Sequence, residues 1–269
     1  MKPTQAIDVH GHYGRYHRHE SNPLINKFMT GDGPTVAARA RASHIQFTVV
    51  SPLLGLLPRG EGDAVAGNAE AERVVPKTRG LLQWVIIDPK RPKTFEQARQ
   101  MLKARTCVGI KLHPEEHRYP ILKHGLALFE FAAEHRAVVL VHSGEANSWP
   151  KDFVRFANLY PEMKLILAHH GNSGALSTPE LQVRGIQASK HGNVYADTSS
   201  ARSIFPGLIE WGVKEVGADR LLFGTDTPLY FTAMQRVRID HAEISETQKR
   251  KILRDNAVKL LQLEERGLV

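Results

Sequence analysis

The sequence alternates short apolar, β-branched runs with longer amphipathic stretches, and it does so eight times in succession. The short runs are typical of buried strands, and the longer stretches have the period of helices. Strands that alternate with helices pair in parallel through right-handed crossovers, and eight such units in about 250 residues match a closed barrel. We therefore predict an α/β fold, a distorted (β/α)8 TIM barrel that forms a single domain over residues 1–269.

The units of this repeat can be placed along the chain. The predicted strands are Ala6–His12, Ile45–Pro52, Leu81–Asp88, Val108–His113, Val138–His142, Lys164–His169, Val194–Asp197 and Arg220–Asp226. The predicted helices are Pro34–Ser43, Asp63–Thr78, Thr94–Ala104, Ile121–His135, Lys151–Tyr160, Pro179–His191, Phe205–Val216 and Thr232–Asp240. An extra C-terminal helix begins at the capping pattern Ser245–Gln248 and runs to about Leu263. A doubly wound open sheet is the alternative, but it seldom has eight consecutive units, and no Gly-x-Gly-x-x-Gly element follows the first strand.

The charge of the chain bears on its partners. The formal net charge is +8 at pH 7, with basic residues scattered through the predicted helices and not interleaved with aromatic residues in one stripe. This distribution argues against nucleic acid, whereas a small anionic substrate is compatible with it. No apolar run approaches the length of a membrane span, and Met1–Ala6 leads into the first strand without a signal peptide.

The single cysteine, Cys107, excludes an internal disulfide and favours a reducing compartment. We expect a buried, inert thiol there, because no base accompanies it. The expectation is therefore a cytoplasmic protein that acts on a small molecule without a membrane or nucleic-acid partner. A homodimer stays open.

The first predicted strand carries the segment Asp8-Val9-His10-Gly11-His12. Side chains alternate along an extended strand, so Asp8, His10 and His12 point the same way and both imidazoles can reach one metal ion. Asp8 could then orient one of these imidazoles. A histidine pair with this spacing also occurs on ordinary surface strands, so later strands must supply further ligands.

Later strands do end in such residues, namely His142 after the fifth strand, His169 after the sixth and Asp226 after the eighth. Parallel strands present their C-terminal ends at one face of a barrel, where residues distant in sequence converge. The predicted metal ligands are His10, His12, His142 and Asp226. Three imidazoles and a carboxylate suit Zn²⁺ best, and Mn²⁺ or Fe²⁺ as well.

Other strand-end residues are candidates for contact with a substrate. We expect His169 to polarise the substrate or shuttle a proton, and the adjacent His170 to be structural. Lys111 and His113 share a face of the fourth strand and are predicted to bind substrate. Lys111 could instead be carboxylated and bridge two metal ions, or be held by internal carboxylates. Glu145 is a candidate hydrogen-bonding group at the rim, and the cluster Arg15–His19 could receive an anion or be a solvated loop.

Several of these segments together resemble the amidohydrolase superfamily, in particular its amidohydrolase 2 branch, which includes aminocarboxymuconate semialdehyde decarboxylase. The similarity rests on Asp8–His12, Gly109–Pro114, His142, Leu167–Gly171, Leu222–Pro228 and the closing segment Asp255–Leu261. It implies a metal-dependent barrel enzyme in which His10, His12, His142 and Asp226 bind the ion and His169 is catalytic. His170 and Asn172 depart from the usual pattern of the branch.

Two enzymatic hypotheses follow, with a third reading beside them. In the leading hypothesis a metal-activated water, deprotonated by Asp226, cleaves an amide, ester or lactone of a small substrate, and His169 assists. The alternative is non-oxidative decarboxylation of a small aromatic or unsaturated carboxylic acid, with a proton delivered to carbon by Asp226 or the bound water. The third reading is a barrel that binds metal without turnover, and the full ligand set together with His169 argues against it.

Overall fold

Eight parallel strands form one sheet in which every strand lies beside its neighbour in sequence, from β1 to β8. The computed structural model describes residues 3–174, 178–199 and 202–269. Met1 and Lys2, at the start of the predicted lead-in, lie outside these residues. The strands are β1 (Ala6–Tyr13), β2 (Ile45–Pro52), β3 (Leu81–Ile86), β4 (Cys107–Leu112), β5 (Val138–Val141), β6 (Lys164–Leu167), β7 (Val194–Asp197) and β8 (Leu221–Leu222).

Backbone hydrogen bonds between β1 and the segment after β8 close the sheet. The Val9 amide donates to the Phe223 carbonyl at 2.9 Å, the His12 amide to Thr227 at 2.6 Å, and the Asp226 amide to His10 at 2.7 Å. The predicted TIM barrel is therefore confirmed. β8 itself is two residues long, so Asp226 lies in the loop beyond the strand and not at its end.

Helices surround this barrel and connect its strands. They are α1 (Pro23–Phe28), α2 (Gly33–Ala42), α3 (Ala64–Val74), α4 (Lys93–Met101), α5 (Ile121–Glu134), α6 (Pro150–Ala157), α7 (Leu181–Gln187), α8 (Leu208–Val216) and α9 (Thr232–Asp240). The short helix α1, capped by Asn22, lies between β1 and α2. No helix in the described part of the chain is long and apolar enough to cross a membrane.

Two apolar layers hold the barrel together. The larger lies between the strands and the helices, and includes Phe129, Phe153 and Phe223. The second fills the barrel interior, where Trp84 is fully buried and its indole Nε1 donates to the Val9 carbonyl at 2.8 Å. Such packing explains why the strands read as nearly continuous apolar runs.

The C-terminal segment closes the interior from below. The expected capping box is present, with the Ser245 side chain accepting from the Gln248 amide and the Gln248 side chain accepting from the Ser245 amide. The predicted helix is not continuous, however. α10 (Glu246–Arg250) passes through a π-helical turn at Lys251–Asp255 into α11 (Asn256–Leu260), and the wider turn lets the segment follow the barrel floor. Its apolar side chains pack into the interior cluster, namely Ala257, Leu261 and Leu263.

We predict that Leu261→Ala lowers the free energy of unfolding by about 2–5 kcal/mol, because a cavity would open beneath the barrel interior. Leu261 is 1% exposed. The measurement is urea denaturation followed by circular dichroism. The control is Leu126→Ala on α5, where Leu126 is 57% exposed and about 0.5 kcal/mol or less is expected. Equal costs for the two variants would show that the C-terminal segment does not belong to the core.

Candidate metal centre and active site

The C-terminal ends of the strands surround a cavity of about 480 Å³. Of the residues predicted for the site, seven line it: His10, His12, His113, His142, Glu145, His169 and Asp226. Glu145 lies at the rim. The convergence expected from the barrel topology is thus present, and the hydrogen bonds of each side chain decide what it can do.

His10 has its tautomer fixed by a carboxylate on β7. Its Nδ1 lies 2.9 Å from Oδ2 of Asp197, and both side chains are buried. Burial acts to raise the pKa of Asp197, but the hydrogen bond from His10 helps to hold it well below its usual range. An ionised carboxylate accepts, so Nδ1 carries the proton and Nε2 of His10 presents its lone pair to the cavity.

His12 is oriented in the same way by a backbone carbonyl. Its Nδ1 lies 3.0 Å from the carbonyl oxygen of Ser51 on β2, which can only accept. Nε2 of His12 therefore also carries a lone pair, and it faces Oδ1 of Asp226 at 3.2 Å. Nε2 of His10 lies 3.6 Å from the same oxygen.

The two imidazoles and the carboxylate form a convergent set of acceptors. Their ligand atoms all lie within 4.8 Å of one another, and all three residues are buried. Three lone pairs that face one another need a cation between them. The donor set, two nitrogens and one oxygen, fits a divalent ion such as Zn²⁺, Mn²⁺ or Fe²⁺. We call His10, His12 and Asp226 the metal triad.

Asp226 is ionised and held in an uncommon backbone conformation. Burial acts to raise its pKa, but the adjoining imidazoles of His12 and His10 hold the pKa well below the usual range. Its φ is 57°, and the φ of His169 is 67°. Left-handed conformations of non-glycine residues cost energy and persist where surrounding contacts impose them, often at functional sites.

His142, predicted as the fourth ligand, lies beside the metal triad without joining it. Its Nδ1 is 3.1 Å from Nε2 of His169 and its Nε2 is 2.9 Å from Oε1 of Glu145, so hydrogen bonds engage both nitrogens. The imidazole ring of His113 stacks on it at 4.3 Å between centroids. A role for His142 as a metal ligand stays a prediction, and it requires that one of these hydrogen bonds break.

His169 is linked to Asp197 through Ser199. The Ser199 hydroxyl lies 2.5 Å from Oδ1 of Asp197 and 2.8 Å from Nδ1 of His169. The hydroxyl has one proton and the carboxylate has none, so Ser199 donates to Asp197 and accepts from Nδ1 of His169. Nε2 of His169 is then free to accept from His142. Burial lowers the pKa of His169 well below its usual value.

A chain of four hydrogen bonds thus runs from Glu145 through His142, His169 and Ser199 to Asp197. Both ends are carboxylates that only accept, and the hydrogen bond from His142 lowers the pKa of Glu145 to about 2. Neutral imidazoles and the hydroxyl supply three protons between them, whereas four bonds need four. The complete chain therefore holds one additional proton, shared by His142 and His169.

Lys111 occupies the interior and not the wall of the cavity. It is fully buried on β4, with Nζ 2.8 Å from Nε2 of His10. Burial lowers its pKa to about 8, and the charges of Asp226 and Asp197 oppose that shift. Lys111 thus contacts a residue of the metal triad, and its predicted contact with substrate stays a prediction.

The rim of the cavity carries arginine, glutamate and tyrosine side chains. Nη2 of Arg18 and Nη2 of Arg59 both bind Oε1 of Glu116, at 2.5 and 3.1 Å. Arg18 belongs to the cluster Arg15–His19, so part of that cluster does face the cavity. Other rim side chains in the lining are Tyr16, Arg202 and Tyr230. The same lining holds three glutamates, so its charge is mixed, and its tyrosine rings suit a ligand with an aromatic body.

Other residues singled out in the sequence have structural roles. Nε2 of His170 lies 3.1 Å from the Leu208 carbonyl and its ring stacks on Trp211, as expected for a structural histidine. Burial raises the pKa of Cys107 to about 12, which agrees with an inert thiol. Asp8 accepts from the amide and hydroxyl of Thr225 and from the His10 amide, so it fixes backbone and does not orient an imidazole.

Asp197 and Ser199 are the participants that the sequence analysis missed. Asp197 ends a predicted strand, and a carboxylate at the C-terminal end of a barrel strand was the one indication in the sequence that it belongs to the site. Its partner His10 lies 187 positions away, so nothing local indicated the contact.

Comparison with known proteins agrees with this architecture. The sequence profile of the amidohydrolase family matches residues 7–263. No curated protein matches the chain.

Among solved structures, the chain resembles a dihydroxybenzoic acid decarboxylase from a Polaromonas species with bound manganese and an inhibitor (15% identity over 98% of this chain and 99% of that chain, TM-score 0.75). It also resembles 5-carboxyvanillate decarboxylase from Novosphingobium aromaticivorans complexed with manganese (14% identity, 97% and 96%, TM-score 0.71). A third is an uncharacterised TIM-barrel protein from Bordetella bronchiseptica (18% identity, 97% and 99%, TM-score 0.70). At these identities the similarity concerns the fold.

We predict that Asp197→Asn weakens binding of Zn²⁺ or Mn²⁺ by about 10- to 100-fold while the barrel stays folded. An amide nitrogen opposite Nδ1 of His10 would favour the other tautomer and remove the lone pair from Nε2. Metal titration against a chromophoric chelator measures the change. Asp219→Asn, in an exposed pair with Lys251, is the control and should leave affinity unchanged. Unaltered affinity in Asp197→Asn would contradict the proposed control of the His10 tautomer.

Proposed function

Because the chain belongs to the amidohydrolase family, we propose that it is a metal-dependent enzyme that decarboxylates a small aromatic or unsaturated carboxylic acid. The observation that carries the metal part of this proposal is the convergence of three buried ligand side chains, His10, His12 and Asp226, whose ligand atoms lie within 4.8 Å of one another. The substrate part is supported by the arginine and tyrosine side chains at the rim. It is also supported by the similarity of fold to two decarboxylases whose structures hold manganese.

The chain presents the groups that such a reaction needs. A divalent ion, when bound to the metal triad, would stabilise negative charge on a substrate oxygen. Decarboxylation breaks the bond between the carboxyl carbon and its neighbour, releases CO₂ and leaves an electron pair on that neighbouring carbon. One proton must then reach this carbon.

We assign that proton to the His142–His169 pair. The hydrogen-bonded chain from Glu145 to Asp197 holds one additional proton between these two imidazoles, and both line the cavity. Burial lowers the pKa of His169, so a proton on its Nε2 is readily given up. Asp226 is less suited to donate, because its neighbours keep it ionised. This proposal differs from the sequence-based expectation, in which Asp226 or the bound water delivers the proton.

Size and shape also support a small acid. A cavity of about 480 Å³ suits a single aromatic ring with a few substituents. Arg18 and Arg59 at its mouth would attract the carboxylate on entry, and the buried triad lies beneath them. Hydrolysis of an amide, ester or lactone remains the second candidate. It uses the same metal triad, and the family description favours it.

The direct test is to incubate metal-loaded protein with a panel of hydroxybenzoates, unsaturated carboxylic acids, amides and lactones. We expect CO₂ release from an acid, with one solvent deuterium incorporated at the carbon that loses it. A new carboxylate or amine without CO₂ would instead establish hydrolysis. No turnover across the panel would leave a metal-binding barrel without activity.

Variants separate the metal triad from the proton carrier. We predict that His10→Ala and Asp226→Ala lose both metal and activity while the circular dichroism spectrum stays unchanged. His169→Asn should keep its metal and lose activity by about 10²- to 10⁴-fold, the usual contribution of a general acid. Metal content is measured by atomic absorption. Full metal content in His10→Ala or Asp226→Ala would refute the ligand assignment, and full activity in His169→Asn would refute the proton donor.

A further inference from the structure

Lys111 is a buried cation in contact with a ligand atom of the metal triad. It projects from β4 with none of its surface exposed. Its Nζ lies 2.8 Å from Nε2 of His10, a distance typical of a charge-assisted hydrogen bond. An ammonium group has donors and no acceptor, so Nε2 of His10 must be the acceptor in this bond.

The hydrogen bond uses the lone pair that a metal ion would need. Nδ1 of His10 is engaged with Asp197, which leaves one lone pair in the plane of the ring, at Nε2. A nitrogen lone pair cannot accept an ammonium proton and coordinate a metal at the same time. Occupation of His10 by Lys111 and by a metal ion is therefore mutually exclusive.

The surroundings of Lys111 explain why a cation is held there. The carboxylates of Asp226 and Asp197 are both buried, and the charge of each acts on Lys111. The lone pairs of His10 and His12 face the carboxylate of Asp226 at 3.6 and 3.2 Å. Two buried carboxylates with converging acceptors are costly without positive charge nearby, and the ammonium supplies it.

We propose that Lys111 is an internal counter-cation that competes with the metal ion for His10. Its ammonium occupies the lone pair of Nε2 that a metal ion would need, so metal binding would have to displace it. This inference rests on the proposed metal triad. It implies that the chain binds metal more weakly than its three ligands alone would, so that loading is readily reversed. It also differs from a carboxylated Lys111 that bridges two ions, in which the lysine would be required for binding.

The test compares metal affinity in wild type, Lys111→Met and a surface control, Lys103→Met. Met has a similar length and no charge, and Nζ of Lys103 contacts only Gln100 on the exposed side of α4 among the described residues. After treatment with EDTA, each protein is titrated with Mn²⁺, and free Mn²⁺ is measured by electron paramagnetic resonance. Zn²⁺ is titrated against a chromophoric chelator.

We expect Lys111→Met to bind one ion with a dissociation constant roughly 10- to 100-fold lower than wild type, because the competing hydrogen bond is lost. Lys103→Met should match wild type. An unchanged or weaker affinity in Lys111→Met, or loss of a bound equivalent, would overturn the proposal.

A second measurement does not depend on the variant folding. Crystal structures of the wild-type chain with and without Mn²⁺ should differ at Lys111, with Nζ beyond 3.5 Å from Nε2 of His10 only when the ion is bound. The same contact in both structures would overturn the proposal. Binding in His10→Ala separates the two hypotheses. If His10→Ala binds metal as wild type does, the metal triad itself fails. If His10→Ala loses metal but Lys111→Met binds no tighter, only the competition fails.

Discussion

The hydrogen bonds that join β1 to the segment after β8 are the interaction on which both the barrel and its site depend. They close the sheet, since β8 contributes only two residues to the ladder of strands. They also fix the two groups that must meet: the amide of Asp226 donates to the carbonyl of His10, and the amide of His12 donates to Thr227. Asp8 strengthens this junction between β1 and the segment after β8, because it accepts hydrogen bonds from the amide and hydroxyl of Thr225. The same contacts that complete the fold therefore bring the metal triad together.

The chemistry of the site depends on which ring nitrogen of each buried imidazole carries a proton and donates a hydrogen bond. Asp197 accepts a hydrogen bond from Nδ1 of His10, and the Ser51 carbonyl accepts one from Nδ1 of His12. Both Nε2 lone pairs therefore point at Asp226. The Ser199 hydroxyl accepts a hydrogen bond from Nδ1 of His169, so that Nε2 of His169 points at His142. The His10, His12 and Asp226 side chains thus converge as acceptors, and the adjacent His142 and His169 are joined to each other by a hydrogen bond. This division is the basis for separating metal binding from proton transfer.

The fold was largely predictable because it depends on a periodic signal. Eight apolar runs define eight strands, and parallel pairing leaves few topologies for them. Boundaries at the C-terminal ends were less predictable: Asp88, His113, His142 and His169 lie beyond their strands, where the chain bends towards the cavity. The C-terminal helix was predicted as continuous because its apolar spacing is helical throughout. The π-helical turn at Lys251–Asp255 fits the segment to the shape of the barrel floor, and the apolar spacing of the sequence carries no information about that shape.

By itself, the sequence determined the barrel, the end at which its chemistry lies, and the residue types that meet there. His10, His12 and Asp226 follow from strand alternation and parallel pairing, which are local rules. Tertiary structure alone decided which nitrogen of each imidazole carries the proton. It also decided that His142 pairs with Glu145 and His169, and that the Lys111 ammonium contacts Nε2 of His10. The physical reason is that these choices depend on hydrogen bonds between residues far apart in the chain, such as His10 and Asp197. A sequence pattern constrains which groups are present, whereas the position of a proton depends on the partner that packing brings within 3 Å.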